Sequence, residues 1–175
     1  LALLWLALAA VCVVRMLSIK KPVMIFLTAA VMTTFPTVCY TLCYMFTADA
    51  YLFALFLAAL GAYLSDRYRW GFLVGGVCIG LSLAIYQAYV FFAIGLFALR
   101  MLLLLLFPSE DGLKLPLIKL AQFAAALLLG ALVYRVGLTA SLALRHATLK
   151  TYMGLDNAGS VSIIDALTRI PLGYK

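Results

Sequence analysis

Between Gly71 and Leu99 the chain carries no Asp, Glu, Lys, Arg or His, and this uncharged run limits the fold more than any other feature. Extended through Phe107, interrupted only by Arg100, it would make about 55 Å of helix, against a bilayer hydrocarbon core of about 30 Å. The run therefore has to cross an apolar medium and turn back. The turn is expected within "SLAIYQAYVFF", residues 82–92, where Tyr86, Gln87 and Tyr89 interrupt the aliphatic sequence. Tyrosines favour the membrane–water interface, so the same residues mark a corner at the membrane surface.

The rest of the chain is of the same kind. Hydrophobic residues make up 67% and charged residues 11% of it, and the mean hydropathy is +1.17. Soluble domains hold about 45–50% apolar and about 25% charged residues. The expected fold class is all-α, a polytopic transmembrane helix bundle of about six spans with short outer amphipathic helices. The spans are drawn at Leu1–Leu17, Val23–Tyr40, Ala48–Leu64, Trp70–Ile85, Ala88–Phe107 and Leu117–Leu138. Residues 1–138 read as the transmembrane bundle and 139–175 as outer-face amphipathic helices and loop. Leu1 already lies within an apolar run, so the chain reads as part of a larger membrane domain.

A formal net charge of +7 in such a chain points to orientation, not to nucleic acid. Arg15, Lys20 and Lys21 follow the first span, Arg67 and Arg69 separate the third and fourth, and Arg100, Lys114 and Lys119 flank the last connection. The connections near Thr41–Thr47 and Tyr86–Gln87 hold no Lys or Arg. By the positive-inside rule the basic connections are cytoplasmic, which places residues 139–175 on the outer face of the membrane.

Three features inside the apolar segments concern packing. Pro36 removes a backbone donor and clashes with the preceding turn, so the second span is expected to kink or break there. Ala50, Ala54, Ala58 and Ala62 form one stripe of small residues; Gly76, Gly80, Ala84 and Ala88, with Gly71 and Gly75, form another. Such spacing lets helix backbones approach closely, and a hairpin in which the two stripes meet is expected. Cys12, Cys39, Cys43 and Cys78 lack metal-ligand or CxxC spacing and read as small apolar packing residues.

No GxSxG, HExxH or phosphate-loop motif occurs. The candidates for chemistry are polar residues in or beside the membrane, where they are costly. Asp49, at the outer start of the third span, reads either as a catalytic or substrate-orienting carboxylate or as a helix cap favoured by the dipole. Arg135 reads as a phosphate ligand or as a side chain reaching for headgroups. Tyr86 and Gln87 read as an interfacial turn or as sugar contacts. His146, Asp156 and Asp165 are weighed as interfacial, turn and cap residues respectively, with Ser162 and Asp165 forming a capping box before a short amphipathic helix. No metal-ligand set is visible, and metal use is not read from the sequence.

The stretch "FPTVCYTLCYMFTADAYLFALFLAALGAYLSDRYR", then a glycine-rich span, then "LSLAIYQAYVFF" resembles the Gtr-type serotype-converting membrane glucosyltransferases of bacterial O-antigen, which have a GT-C-like architecture. The resemblance covers Leu1–Leu106 and rests on the acidic start of the third span and an "SLxIYQxY" signature. It implies a polyprenyl-phosphate-linked sugar, glucose, as donor and an O-antigen or other lipid-linked glycan as acceptor at the periplasmic face, with membrane lipids around it. It implies a principal catalytic base in an outer loop upstream of Leu1, with Asp49 assisting and Tyr86, Gln87 and Arg135 binding substrate. No organic cofactor is implied. The competing classes are a polytopic transporter or flippase, which calls for midplane ion pairs or inverted repeats, and a non-catalytic membrane subunit of glycan assembly.

Overall fold

The computed structural model describes residues 1–107 and 114–146. Within them the chain is helical without strands: α1 (Ala2–Met16), α2 (Pro22–Thr34), α3 (Pro36–Cys43), α4 (Met45–Arg67), α5 (Gly71–Ile85), α6 (Tyr89–Leu106) and α7 (Lys114–Leu144). The expected outer amphipathic helices beyond His146, with Asp156, Ser162 and Asp165, lie outside the described residues. Residues Leu1–Thr139 form one compact unit.

Among the described residues three helices, α4, α6 and α7, are each long and apolar enough to cross a membrane, and α2 with α3 makes a fourth if the bent pair counts as one span. Six spans are therefore not confirmed among the described residues. The segments drawn as the first and fourth spans are helical, but α1 and α5 have 15 residues each. Fifteen residues rise about 22 Å, short of a hydrocarbon core of about 30 Å. Local backbone chemistry sets both lengths. Ser18 takes a left-handed φ of 55° just beyond α1, and Tyr86 turns extended at the end of α5.

Pro36 breaks its helix. Phe35, the residue before it, is extended at φ −61°, ψ 129°, as the proline ring requires of its predecessor, and α2 and α3 meet at a bend of 51°. The break frees carbonyls, and the thiol of Cys39 lies 3.6 Å from the Thr33 carbonyl. Thr28, Thr33 and Thr34 turn their hydroxyls back onto carbonyls of their own helix, at 2.7–3.0 Å. An apolar surrounding offers them no other acceptor. None of the residues of α2 is buried.

The centre of the bundle is α4, which packs on α5, α1, α6 and α3. Its Ala54, Ala58, Ala59 and Ala62 are fully buried, whereas Ala50 is exposed. In hydrocarbon there is no hydrophobic drive to bring helices together, so close van der Waals approach of small residues has to do it. The expected hairpin of α4 and α5 forms, with its closest backbone approach at Gly61, outside the expected alanine stripe. A Cβ on Gly61 would sit 2.7 Å from the carbonyl of Gly75, so α4 and α5 touch backbone to backbone there. Gly76 and Gly80 instead face α7, where a Cβ on Gly80 would lie 2.8 Å from the carbonyl of Gly130. Ala84 and Ala88 are exposed. Buried Ser82 adds a hydrogen bond from its hydroxyl to the Ala54 carbonyl at 2.7 Å. Further along, Phe97 of α6 stacks on Phe123 of α7 with ring centroids 4.2 Å apart. Of the cysteines, Cys12 is buried and Cys78 half-buried, but Cys39 and Cys43 are exposed, so the packing role expected of all four holds for the first two.

Candidate functional site

The connections gather at two ends. One carries Tyr44 and the 86–88 turn and has no Lys or Arg in either; the other carries Arg67, Arg69 and Arg100. Each end holds a cluster of polar side chains, and the two clusters differ in chemistry.

At the basic end Asp66 lies in the last turn of α4 and is 8% exposed. An acid at a helix C-terminus opposes the helix dipole and needs compensation. Arg100 of α6 supplies it through Nε, 3.1 Å from Oδ2. Lys119 of α7 lies 3.4 Å from Oδ1 and also donates to the backbone carbonyl of Asp66. Gln122, one turn further along α7, donates to the Arg69 carbonyl at 3.2 Å. The cluster ties three helices together. Its carboxylate is enclosed between two cations, which suits a structural anchor. Sequence reading missed it, although an acid in the last turn of a helix, where it opposes the dipole, is a signal that a partner must exist.

At the other end, Tyr86 closes α5, Gln87 and Ala88 make the turn, and Tyr89 opens α6. This is the corner expected from length alone. The turn is held by aromatic contact: the ring of Tyr86 lies 4.8 Å from Tyr51 of α4 and 5.1 Å from Tyr89. Gln87 reaches α7, where its side-chain amide donates to the hydroxyl of Tyr134. A pocket of about 480 Å³ opens here, lined by Leu83, Ala84, Ile85, Tyr86, Gln87, Ala88, Tyr134 and Leu138. Its amide and phenol groups are neutral donors and acceptors beside aromatic faces.

A second cavity, a groove of about 480 Å³, runs from the same turn along the α2–α3 break. Val31, Met32 and Phe35 wall one side, Tyr89, Phe91 and Phe92 the other. Val31, Phe35 and Phe91 are largely exposed, so the groove opens sideways onto the apolar surface. Tyr86 and Ala88 line both cavities. An apolar trough and a polar pocket thus share one rim.

The structure brings Tyr86, Gln87 and Tyr89 together, and adds Tyr51 and Tyr134, which sequence reading did not single out. It leaves Asp49 and Arg135 outside. Asp49 is exposed and lies four residues into α4, which begins at Met45 with Tyr44 at its cap position and no side-chain cap. The cap reading of Asp49 is therefore corrected, because the helix starts three residues earlier than Ala48. Arg135 is exposed and follows Tyr134 on α7, and consecutive helical residues point about 100° apart. It therefore does not line the pocket to which its neighbour belongs.

The chain matches the family model of glucosyl transferase GtrII over residues 1–172. No curated protein and no solved structure matches it significantly. The match runs well past Leu106, where the sequence resemblance ended, and takes in the Tyr86–Gln87 turn, Tyr134 and the helices that carry them. By that match the chain belongs to the glucosyl transferase GtrII family.

Proposed function

We propose that this chain is part of a membrane glucosyltransferase that takes glucose from a polyprenyl-phosphate donor and passes it to an O-antigen or other lipid-linked glycan at the periplasmic face of a bacterial inner membrane. The observation that carries the reading is the shared rim: a sideways-open apolar groove meets a pocket lined with amide and phenol groups at Tyr86 and Ala88. A lipid-linked sugar has the same two-part character, a long apolar chain joined to a polar head. Family membership supports glucosyl transfer as the reaction, and the positive-inside rule supports an outward position for the 86–88 turn.

In this reading Gln87 and Tyr134 contact sugar hydroxyls and Tyr86 packs against the sugar ring. Arg135, which lies outside the pocket, draws the donor's phosphate toward the site through its charge at the headgroup level. The reaction breaks the anomeric carbon–oxygen bond to phosphate and forms one to an acceptor hydroxyl, whose proton passes to a carboxylate. Of the two described carboxylates, Asp66 is enclosed at the opposite end, which leaves Asp49 to assist from this one.

The test is transfer of labelled glucose from polyprenyl-phosphate-glucose in membranes holding the intact protein. Incorporation into glycan, reduced in Asp49→Asn and in Arg135→Ala, is the expected result. Label that crosses the bilayer without joining a glycan would replace the reading with a flippase. Unchanged transfer in both variants would remove Asp49 and Arg135 from it.

A further inference from the structure

The basic end holds more cations than its acids can answer. Leu1 lies beside Asp49 and Trp5 packs on Phe53 and Phe56, so α1 runs parallel to α4. Arg15, Lys20 and Lys21 therefore stand at the same end as Arg67, Arg69 and Lys114, and all six are exposed. The one described acid at this end, Asp66, is buried and already held by Arg100 and Lys119. Glu110 and Asp111 belong to the connection from α6 to α7 and lie outside the described residues. Even if both were paired here, most of the six cations would stay unanswered.

The turn at residues 67–70 is the fixed part of this surface. It reads Arg-Tyr-Arg-Trp, with Tyr68 57% and Trp70 68% exposed. Such rings settle where headgroups meet acyl chains. The backbone of the turn is pinned: Gln122 of α7 donates to the Arg69 carbonyl at 3.2 Å, and the Gly71 N–H donates to the Tyr68 carbonyl at 3.0 Å. A Cβ on Gly71 would strike the Leu64 carbonyl, so the chain leaves the turn hard against α4. The next helix, α5, is shorter than the hydrocarbon core is thick. That mismatch draws the turn into the headgroup layer instead of leaving it clear of the membrane.

We propose that Arg67 and Arg69 bind the phosphate of an anionic phospholipid, with Tyr68 and Trp70 resting on its acyl chains. A guanidinium group presents paired donors that match phosphate oxygens, and this turn carries two within three residues. The surplus of positive charge around it selects a net anionic headgroup over a zwitterionic one, whose ammonium the neighbouring cations repel. A soluble phosphate offers the same oxygens, but only a lipid also covers two exposed aromatic rings at headgroup depth. The site lies at the end of the bundle opposite the Tyr86–Gln87 turn and does not depend on glucosyl transfer. A lipid held there fastens the α4–α5 hairpin to the membrane surface.

The experiment titrates the intact protein, purified in neutral detergent, with phosphatidylglycerol and with phosphatidylcholine, and counts bound lipids by native mass spectrometry. The parent is expected to bind phosphatidylglycerol more tightly. Arg67→Gln with Arg69→Gln is expected to weaken that binding about a hundredfold, the size of two hydrogen bonds to a charged group. Arg67→Lys with Arg69→Lys keeps both charges but loses the paired donors, and is expected to weaken it about tenfold. Thermal unfolding in phosphatidylcholine should be the same for parent and glutamine variant, because neither arginine side chain has a partner among the described residues. Equal affinity of the parent for the two lipids overturns the proposal. So does a glutamine variant that binds phosphatidylglycerol as the parent does, since the lipid then sits elsewhere. A lysine variant equal to the parent reduces the site to diffuse surface charge and overturns it too. Displacement of the lipid by equimolar glycerol phosphate would make it a site for soluble phosphate. Loss of stability of the glutamine variant in phosphatidylcholine would make the arginines structural, and either result defeats the lipid assignment.

Discussion

Replacing Asp66 with alanine would leave two cations facing each other where one carboxylate now holds three helices. Asp66 is 8% exposed, Arg100 22% and Lys119 17%. None of them regains full hydration when the carboxylate is deleted. Removing one partner of a buried pair typically destabilises by about 3–5 kcal/mol, because the remaining charge is left uncompensated. The Lys119 bond to the Asp66 backbone carbonyl survives the substitution, so the lower part of that range is expected. Asp66→Asn keeps an acceptor for Arg100 but loses the charge, and a loss of about 1.5–3 kcal/mol is expected of it. Adding Lys119→Met to Asp66→Ala should recover part of the loss by removing an orphaned cation. The assay is reversible unfolding in mixed detergent micelles with helix content followed by circular dichroism. A loss below about 1 kcal/mol for Asp66→Ala, the range of solvent-exposed ion pairs, would refute the assignment of this cluster as an anchor.

The helix contacts make further predictions. Gly61→Ala drives a Cβ to 2.7 Å from the Gly75 carbonyl and should destabilise by about 1–3 kcal/mol in the same unfolding assay. Gly95→Ala meets nothing within 4 Å and should be neutral or stabilising by up to about 1 kcal/mol, which makes it the matched control. Ser82→Ala removes a buried interhelical hydrogen bond and should cost about 0.6–1.7 kcal/mol, the span measured for such bonds in membranes. A double-mutant cycle on Gln87→Ala and Tyr134→Phe, read in donor KM, should show a coupling of about 0.5–3 kcal/mol; simple additivity would mean the two side chains act apart.

Features governed by local backbone chemistry were legible in the sequence. The break at Pro36 follows from a missing donor and a restricted predecessor, and the corner at Tyr86–Ala88 follows from length arithmetic. What escaped was of two kinds. Asp66 with Lys119 and Gln87 with Tyr134 are separated by 53 and 47 residues, and no periodicity within one helix names a partner so distant. The other kind was a matter of phase. Gly75 and Gly76 are neighbours in sequence but point about 100° apart on a helix, so the glycines of α5 form two stripes that serve two partners. Asp49 was misplaced as a cap for a related reason: apolar composition locates a span but not the residue at which its helix begins.

The doubled glycine face of α5 has a mechanical consequence. With hydrogens in place of side chains toward both α4 and α7, this helix acts as a shim of fixed thickness, set by its backbone alone. Its neighbour α7 is held against it at Gly130, fastened at one end through Lys119 and at the other through Tyr134. Three such fixings on one rod leave it little freedom to tilt or slide. A single methyl group added at Gly76 or Gly80 would therefore be felt at both ends of the molecule, in the ion cluster and at the polar rim together.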